Sequence, residues 1–180
     1  KTRMDLAKSY EVFKPENVDE RITIIGCGAG GSTIAEMLAR YGLTKFTLYD
    51  DDIVDSHNIA NQMYRAHDIG VPKVEALANI ICEINPEAKK DIEMFPERYV
   101  DQNLEGYVFL CVDRIETRKE ICELNKRNTN ICAVFEFRNR LYDAQHRAAD
   151  WSNPAQVKDL IKSMQFSHEE AMKDTPVNAC

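Results

Sequence analysis

Residues 22–38 read ITIIGCGAGGSTIAEML, and their order decides the fold. A short apolar run, Ile22 to Ile25, stops at Gly26, the pattern of a strand buried on both faces of a parallel sheet. Gly26-x-Gly28-x-x-Gly31 follows directly. Ile34, Leu38 and Tyr41 then recur at helical spacing, and Gly42 supplies a stop, so a helix is expected over 32–41. A glycine loop that leaves a strand and opens a helix is the context of a phosphate cradle. The glycines allow a tight turn, backbone N–H groups approach the phosphate, and the helix N-terminus favours negative charge.

Outward from this loop the signals alternate. Strands are expected at 45–49, 91–95, 107–112 and 131–137, with a further one at 140–145. Helices are expected at 73–84, where Val74, Leu77, Ile81 and Ile84 share a face, at 116–127 and at 154–164. Strands alternating with helices imply an α/β, Rossmann-like, doubly wound and mainly parallel sheet with helices on both faces. The whole reads as one nucleotide-binding domain over 1–166 with a flexible tail at 167–180. Ligands of such sheets bind beyond the C-terminal strand ends, here after Ile25, Tyr49, Val112 and Phe137. Asp50 ends the second strand, where a carboxylate binds ribose hydroxyls.

Composition sets limits. The 180 residues carry 23 Lys+Arg against 30 Asp+Glu, a formal charge of −7. That balance lacks the basic field of a general nucleic-acid binder. No apolar run reaches the ~18 residues of a membrane helix, and the first residues lack a signal-peptide core, so no membrane partner and a cytoplasmic location are expected. The six cysteines form no C-x-x-C pair, which argues against structural zinc. Cys27 and Cys111 read as packed thiols, and Cys180 as either a mobile nucleophile or an arbitrary end.

The segment after the second strand is Asp50-Asp51-Asp52-Ile53-Val54-Asp55-Ser56-His57-Asn58-Ile59-Ala60-Asn61-Gln62. Dinucleotide binding needs one acid here. Four in six residues beside a phosphate loop repel phosphates unless some face solvent or a cation. Asp51 and Asp55 read as solvated, leaving Asp50 and Asp52 for the site.

The ordered set of motifs is specific. The glycine loop is followed by Asp50-x-Asp52-x-Val54-x-x-x-Asn58-x-x-x-Gln62, by Ile69-Gly70-x-Pro72-Lys73, and by Val112-Asp113 at the end of a later strand. In this order they resemble the ThiF/MoeB/HesA family, the adenylating domain shared with ubiquitin-activating E1 enzymes. The likeness runs from about Arg21 to Arg118. It implies an ATP- and Mg²⁺-dependent adenylyltransferase, a homodimer that activates the C-terminal glycine carboxylate of a small ubiquitin-like protein. It implies that Gly26, Gly28 and Gly31 hold the nucleotide, that Asp50 takes the ribose, and that Asn58 and Gln62 line nucleotide and phosphates. It also implies that Lys73 contacts phosphates and that Asp113 binds magnesium. The chemistry agrees: carboxylate attack on an α-phosphate joins two anions and needs cations and aligned donors, not a protein nucleophile.

Two departures matter. The family pattern carries arginine at the position of Asn61, and a neutral amide does not replace its charge. Arg65, or Arg3 reaching across from a partner subunit, is the expected substitute. The family's zinc cysteine pairs are absent. Competing readings are an NAD-dependent oxidoreductase, which leaves Lys73, Asn58, Gln62 and Asp113 without a joint role, and a non-catalytic nucleotide-binding subunit. The basic residues Arg138, Arg140, His146 and Arg147 read as a solvated edge or a partner surface, and Tyr142, Trp151 and Phe166 as surface cover or a dimer face.

Overall fold

A computed structural model describes residues 4–139 and 144–165. Six strands form one sheet: β1 Ile22–Ile25, β2 Phe46–Tyr49, β3 Ile92–Phe95, β4 Gly106–Leu110, β5 Ile131–Asn139 and β6 Ala144–Asp150. Their spatial order is β3-β2-β1-β4-β5-β6. The first five are parallel, and β6 closes the edge antiparallel to β5. The chain winds outward from β1 to β3, then crosses back to β4, so strand order reverses between β1 and β4. The expected α/β doubly wound sheet is the observed one.

Side chains alternate across this sheet and build two cores. Ile22 and Ile24 of β1 and Phe46 and Leu48 of β2 face α1 (Ala29–Arg40) and α2 (Lys73–Ile84). Ile25, Tyr49, Val108 and Leu110 face the other way, toward α3 (Ile115–Asn125) and α4 (Pro154–Lys162). Every residue of β1 and β2 is buried, Thr23 and Thr47 included, as expected for parallel strands covered on both faces. Each fully buried Leu, Ile or Phe here contributes roughly 1.5–3 kcal/mol.

Several boundaries differ from expectation. Helix α1 starts at Ala29, because Gly28 is its N-cap and the loop glycines enter the first turn. Helix α3 is capped by Arg114, so Asp113 stays outside the helix. The last strand lies at β6, displaced from 140–145. The pairing of Val134 with Ala149 sets its register, and Ala149 is its one buried residue, too weak a pattern to read in advance. Trp151 is not surface cover: it is buried, and its indole Nε1–H donates to the Asn125 carbonyl at 2.8 Å. Tyr142, Phe166 and the tail at 167–180 lie outside the described residues.

Candidate nucleotide site

The glycine loop sits where the strand order reverses. Gly26 has φ +94°, and a Cβ there would lie 2.7 Å from the Cys111 carbonyl carbon. Gly31 is tighter: a Cβ would meet the Gly26 carbonyl oxygen at 1.9 Å. Those two glycines close the loop against β4 and against itself. Gly28 differs, since nothing stands within 4 Å of where its Cβ would be. Its freedom from packing leaves an open approach to the backbone at the α1 N-terminus, which suits an anion.

Asp50 follows β2 and is locked by backbone. Its Oδ2 accepts from the Cys27 N–H at 2.6 Å and its Oδ1 from the Asp52 N–H at 2.9 Å. Burial pushes its carboxyl up from the ordinary value of 3.8, while these two N–H groups and the Lys73 charge pull it down. The native state thus holds this proton to higher pH than the unfolded chain. Its contribution to stability is full below the unfolded carboxylate pKa and is lost as pH rises through the folded one. Denaturation midpoints of wild type and Asp50→Ala, compared from pH 3 to 7, should show wild type losing ground to the variant as pH rises. A constant difference would mean that burial leaves Asp50 unperturbed.

Lys73 opens α2 behind Pro72, yet its side chain is only 7% exposed. A lysine in the first turn opposes the helix dipole and needs a partner. Asp52 supplies it twice: its carboxylate accepts from Nζ at 2.7 Å, and its carbonyl accepts from the Lys73 backbone N–H at 2.9 Å. Asp52 donates its own N–H to Asp50, and Asp50 accepts from the Cys27 N–H, so the ammonium is tied to the loop through these two acids.

The intervening segment is pinned to the same place. Asn58 is buried, and its Oδ1 accepts from the Asp55 N–H at 2.8 Å. The Met63 N–H donates to Ser32 Oγ at 3.2 Å. Tyr64, which sequence reading missed, is buried, and its hydroxyl donates to the Cys27 carbonyl at 2.6 Å. A lone aromatic between Gln62 and Arg65 in a polar stretch was its only signal. Gln62 Oε1 is buried without a hydrogen-bond partner, an acceptor that a ligand or water would satisfy. Asn61 is exposed and ends the Ser56–Ala60 turn.

Arg65 points elsewhere. It pairs with Glu83 at 2.9 Å, near the end of α2, beside an open cleft of about 420 Å³ that Cys82 and Lys89 also line. Ten residues separate Lys73 from Glu83, about 15 Å along the helix, so Arg65 is not brought to the glycine loop. Arg3 lies outside the described residues. Asp113 is exposed two residues beyond Cys111, whose N–H continues the ladder to the Ile25 carbonyl at 2.8 Å. A hard, solvent-facing carboxylate at this strand end fits Mg²⁺, which takes one or two carboxylates and fills its shell with phosphate oxygens and water.

Arg138 is not a solvated edge. It is half-buried against Glu136 and Ser163. Arg140 lies outside the described residues, and His146 packs edge-on against Phe137 at 5.1 Å. Burial raises the thiols of Cys27, Cys82, Cys111, Cys122 and Cys132, those of Cys111 and Cys122 to about 12. Among the described residues no thiol is activated as a nucleophile. No described helix is long and apolar enough to cross a membrane.

Comparison with known proteins places this geometry. The ubiquitin-like modifier-activating enzyme 5 of Drosophila simulans is 32% identical over 146 residues, covering 71% of this chain and 35% of that protein. The Gallus gallus protein of the same name is 30% identical over 135 residues, covering 66% of this chain and 33% of its own. The chain thus spans about a third of the length of these relatives. Among solved structures, the E. coli tRNA N6-threonylcarbamoyladenosine dehydratase TcdA is 27% identical with a TM-score of 0.58, over 66% of this chain and 51% of that one. The same dehydratase in complex with AMP gives 26% and 0.57, over 66% and 50%. The ThiF family model matches residues 16–133, and with the glycine loop, Asp50 and Lys73 gathered at the switch of strand order, the chain belongs to the ThiF family.

Proposed function

We propose that this chain binds Mg-ATP and adenylates the C-terminal glycine carboxylate of a small ubiquitin-like protein. One observation carries the reading: a buried lysine, held by Asp52, stands beside a glycine loop whose middle glycine is open. An oxidoreductase reading leaves Lys73, Asn58, Gln62 and Asp113 without a joint role. The relatives named as ubiquitin-like modifier-activating enzymes support the substrate class, and the AMP complex of a structural neighbour supports the nucleotide.

In this reading Gly26, Gly28 and Gly31 shape the cradle, and Gly28 lets phosphate reach backbone N–H groups. Asp50 accepts from the ribose hydroxyls. Asn58, Asn61 and Gln62 line the bound nucleotide, with Gln62 Oε1 gaining the donor it lacks. Lys73 leaves Asp52 for phosphate oxygens. Asp113 would hold Mg²⁺, which neutralises phosphate charge when bound. The substrate carboxylate oxygen attacks the α-phosphorus, the bond to the pyrophosphate oxygen breaks, and an acyl-adenylate and pyrophosphate result. Lys73 offsets the charge that accumulates as the two anions meet. A homodimer, with Arg3 reaching across, supplies the charge missing at Asn61.

Thermal melting tests the nucleotide. Mg-ATP at 100 times its Kd adds about 2.7 kcal/mol, a rise in Tm of roughly 5–11 °C at this size. The rise should appear with Mg-ATP, not with NAD, and shrink in Asp113→Ala. Pyrophosphate exchange with a ubiquitin-like protein ending in Gly-Gly then tests the substrate. A Tm rise with NAD alone would replace this reading by dinucleotide binding. Exchange with tRNA and not with protein would move the substrate toward that of the dehydratase neighbour.

A further inference from the structure

Glu136 of β5 is fully buried, and two arginines hold it. Arg118 Nη1 donates to its Oε1 at 2.7 Å, and Arg138 Nε donates to both carboxylate oxygens at 2.7 and 2.8 Å. Replacing a buried ion pair by apolar groups is often neutral for stability, so stability alone is a weak reason for this network. Its other contacts point to a second purpose. Arg118 Nε donates to the Val112 carbonyl at 2.7 Å, and Nη1 donates to the Phe137 carbonyl at 2.6 Å. One guanidinium thereby ties the ends of β4 and β5, the strand ends where a doubly wound sheet binds its ligand. Val112 immediately precedes Asp113. Arg138 extends the tie to α4 through the Ser163 carbonyl at 3.0 Å and hydroxyl at 2.8 Å.

We propose that Arg118, oriented by Glu136, is a positioning residue: it fixes the Val112 carbonyl and so aims the Asp113 carboxylate at the Mg-ATP phosphates. This rests on the adenylating reading above. Asp113 is exposed, and α3 begins two residues later at Ile115, behind the Arg114 cap. The planar fork of Arg118 spans a main-chain carbonyl and a carboxylate together, a geometry that lysine does not reproduce.

The test is calorimetric titration of ATP into the whole chain across a series of free Mg²⁺ concentrations. Wild type, Arg118→Lys, Glu136→Gln, Asp113→Ala and the double variant Arg118→Lys/Asp113→Ala are compared. Partners that orient a metal ligand are worth 10–100-fold in metal affinity. Arg118→Lys should raise the half-saturating Mg²⁺ concentration about tenfold and leave ATP affinity in EDTA within about twofold. Glu136→Gln should move it the same way by less. The double variant should match Asp113→Ala, because both changes act through one carboxylate. A folded Arg118→Lys with unchanged Mg²⁺ dependence, or additive losses in the double variant, would overturn the inference and leave the adenylating reading intact. Failure of both Arg118→Lys and Glu136→Gln to fold would assign the network to stability and overturn it as well. If wild type shows no Mg²⁺-dependent ATP binding, or Asp113→Ala does not alter it, the adenylating reading falls and this inference with it.

Discussion

Lys73→Ala is expected to lower pyrophosphate exchange by about 10²–10³-fold, the usual loss on removing one preorganised electrostatic donor. The size follows from the site. The lysine is buried, so its charge acts through a medium less screening than water. It is also held in place by Asp52 before any nucleotide binds. Stability should change much less. The carboxylate left behind belongs to Asp52, which is 62% exposed and resolvates easily. ATP binding should weaken by a smaller factor than exchange, because the charge is needed most when carboxylate and phosphate meet. Equal exchange rates in wild type and Lys73→Ala would remove this lysine from the chemistry, and with it the main ground for preferring adenylation to dinucleotide binding.

The second large effect separates two glycines three residues apart. Gly31→Ala puts a methyl group 1.9 Å from the Gly26 carbonyl oxygen, a contact that only displacement of the loop backbone relieves. A loss of more than about 3 kcal/mol is expected, and the purified variant should melt well below wild type. Gly28→Ala meets nothing within 4 Å and has φ −71°, which any residue adopts. Its Tm should stay within a few degrees, while its methyl group occupies the space a phosphate needs and ATP affinity drops at least tenfold. Melting and calorimetry on the two variants check both halves. A Gly28→Ala variant that binds ATP as wild type does would show that phosphate approaches the loop elsewhere.

The parts of this molecule legible in the sequence are those where burial on both sides leaves a long apolar signature. Because parallel buried strands and a Gly70-Val71-Pro72 lead carry their own marks, strands β1 and β2 and the α2 start at Lys73 match expectation, and β4 is in place but ends at Leu110, two residues early. Strand β6 was displaced because an edge strand with one buried residue takes its register from its neighbour, and no local pattern encodes that. Within the site, the glycines, Asp50 and Lys73 are linked to one turn and one helix start, so their grouping was foreseeable. The direction of Arg65 was not, since Glu83 lies eighteen residues away and becomes its neighbour only when α2 is formed. The pairing of Glu136 with Arg118 and Arg138 was equally hidden. An acidic residue inside the run ICAVFEF looks like a strand fault until α3 supplies a guanidinium from the other side.

The hydrogen bonds around Asp50 form a short chain of custody. The Cys27 N–H belongs to the glycine loop, the Asp52 N–H to the acidic turn, and Asp52 in turn grips the first residue of α2. Three segments far apart in sequence are thus joined by hydrogen bonds at the point where ribose and phosphate would lie. A nucleotide meeting segments so joined has little backbone to order, and most of the entropy that association usually forfeits at flexible loops is already spent during folding. The group that has to change partners is one ammonium, which on the proposed reading trades the Asp52 carboxylate for a phosphate. On the adenylating reading proposed above, binding of the nucleotide then comes down to an exchange of partners at a single lysine.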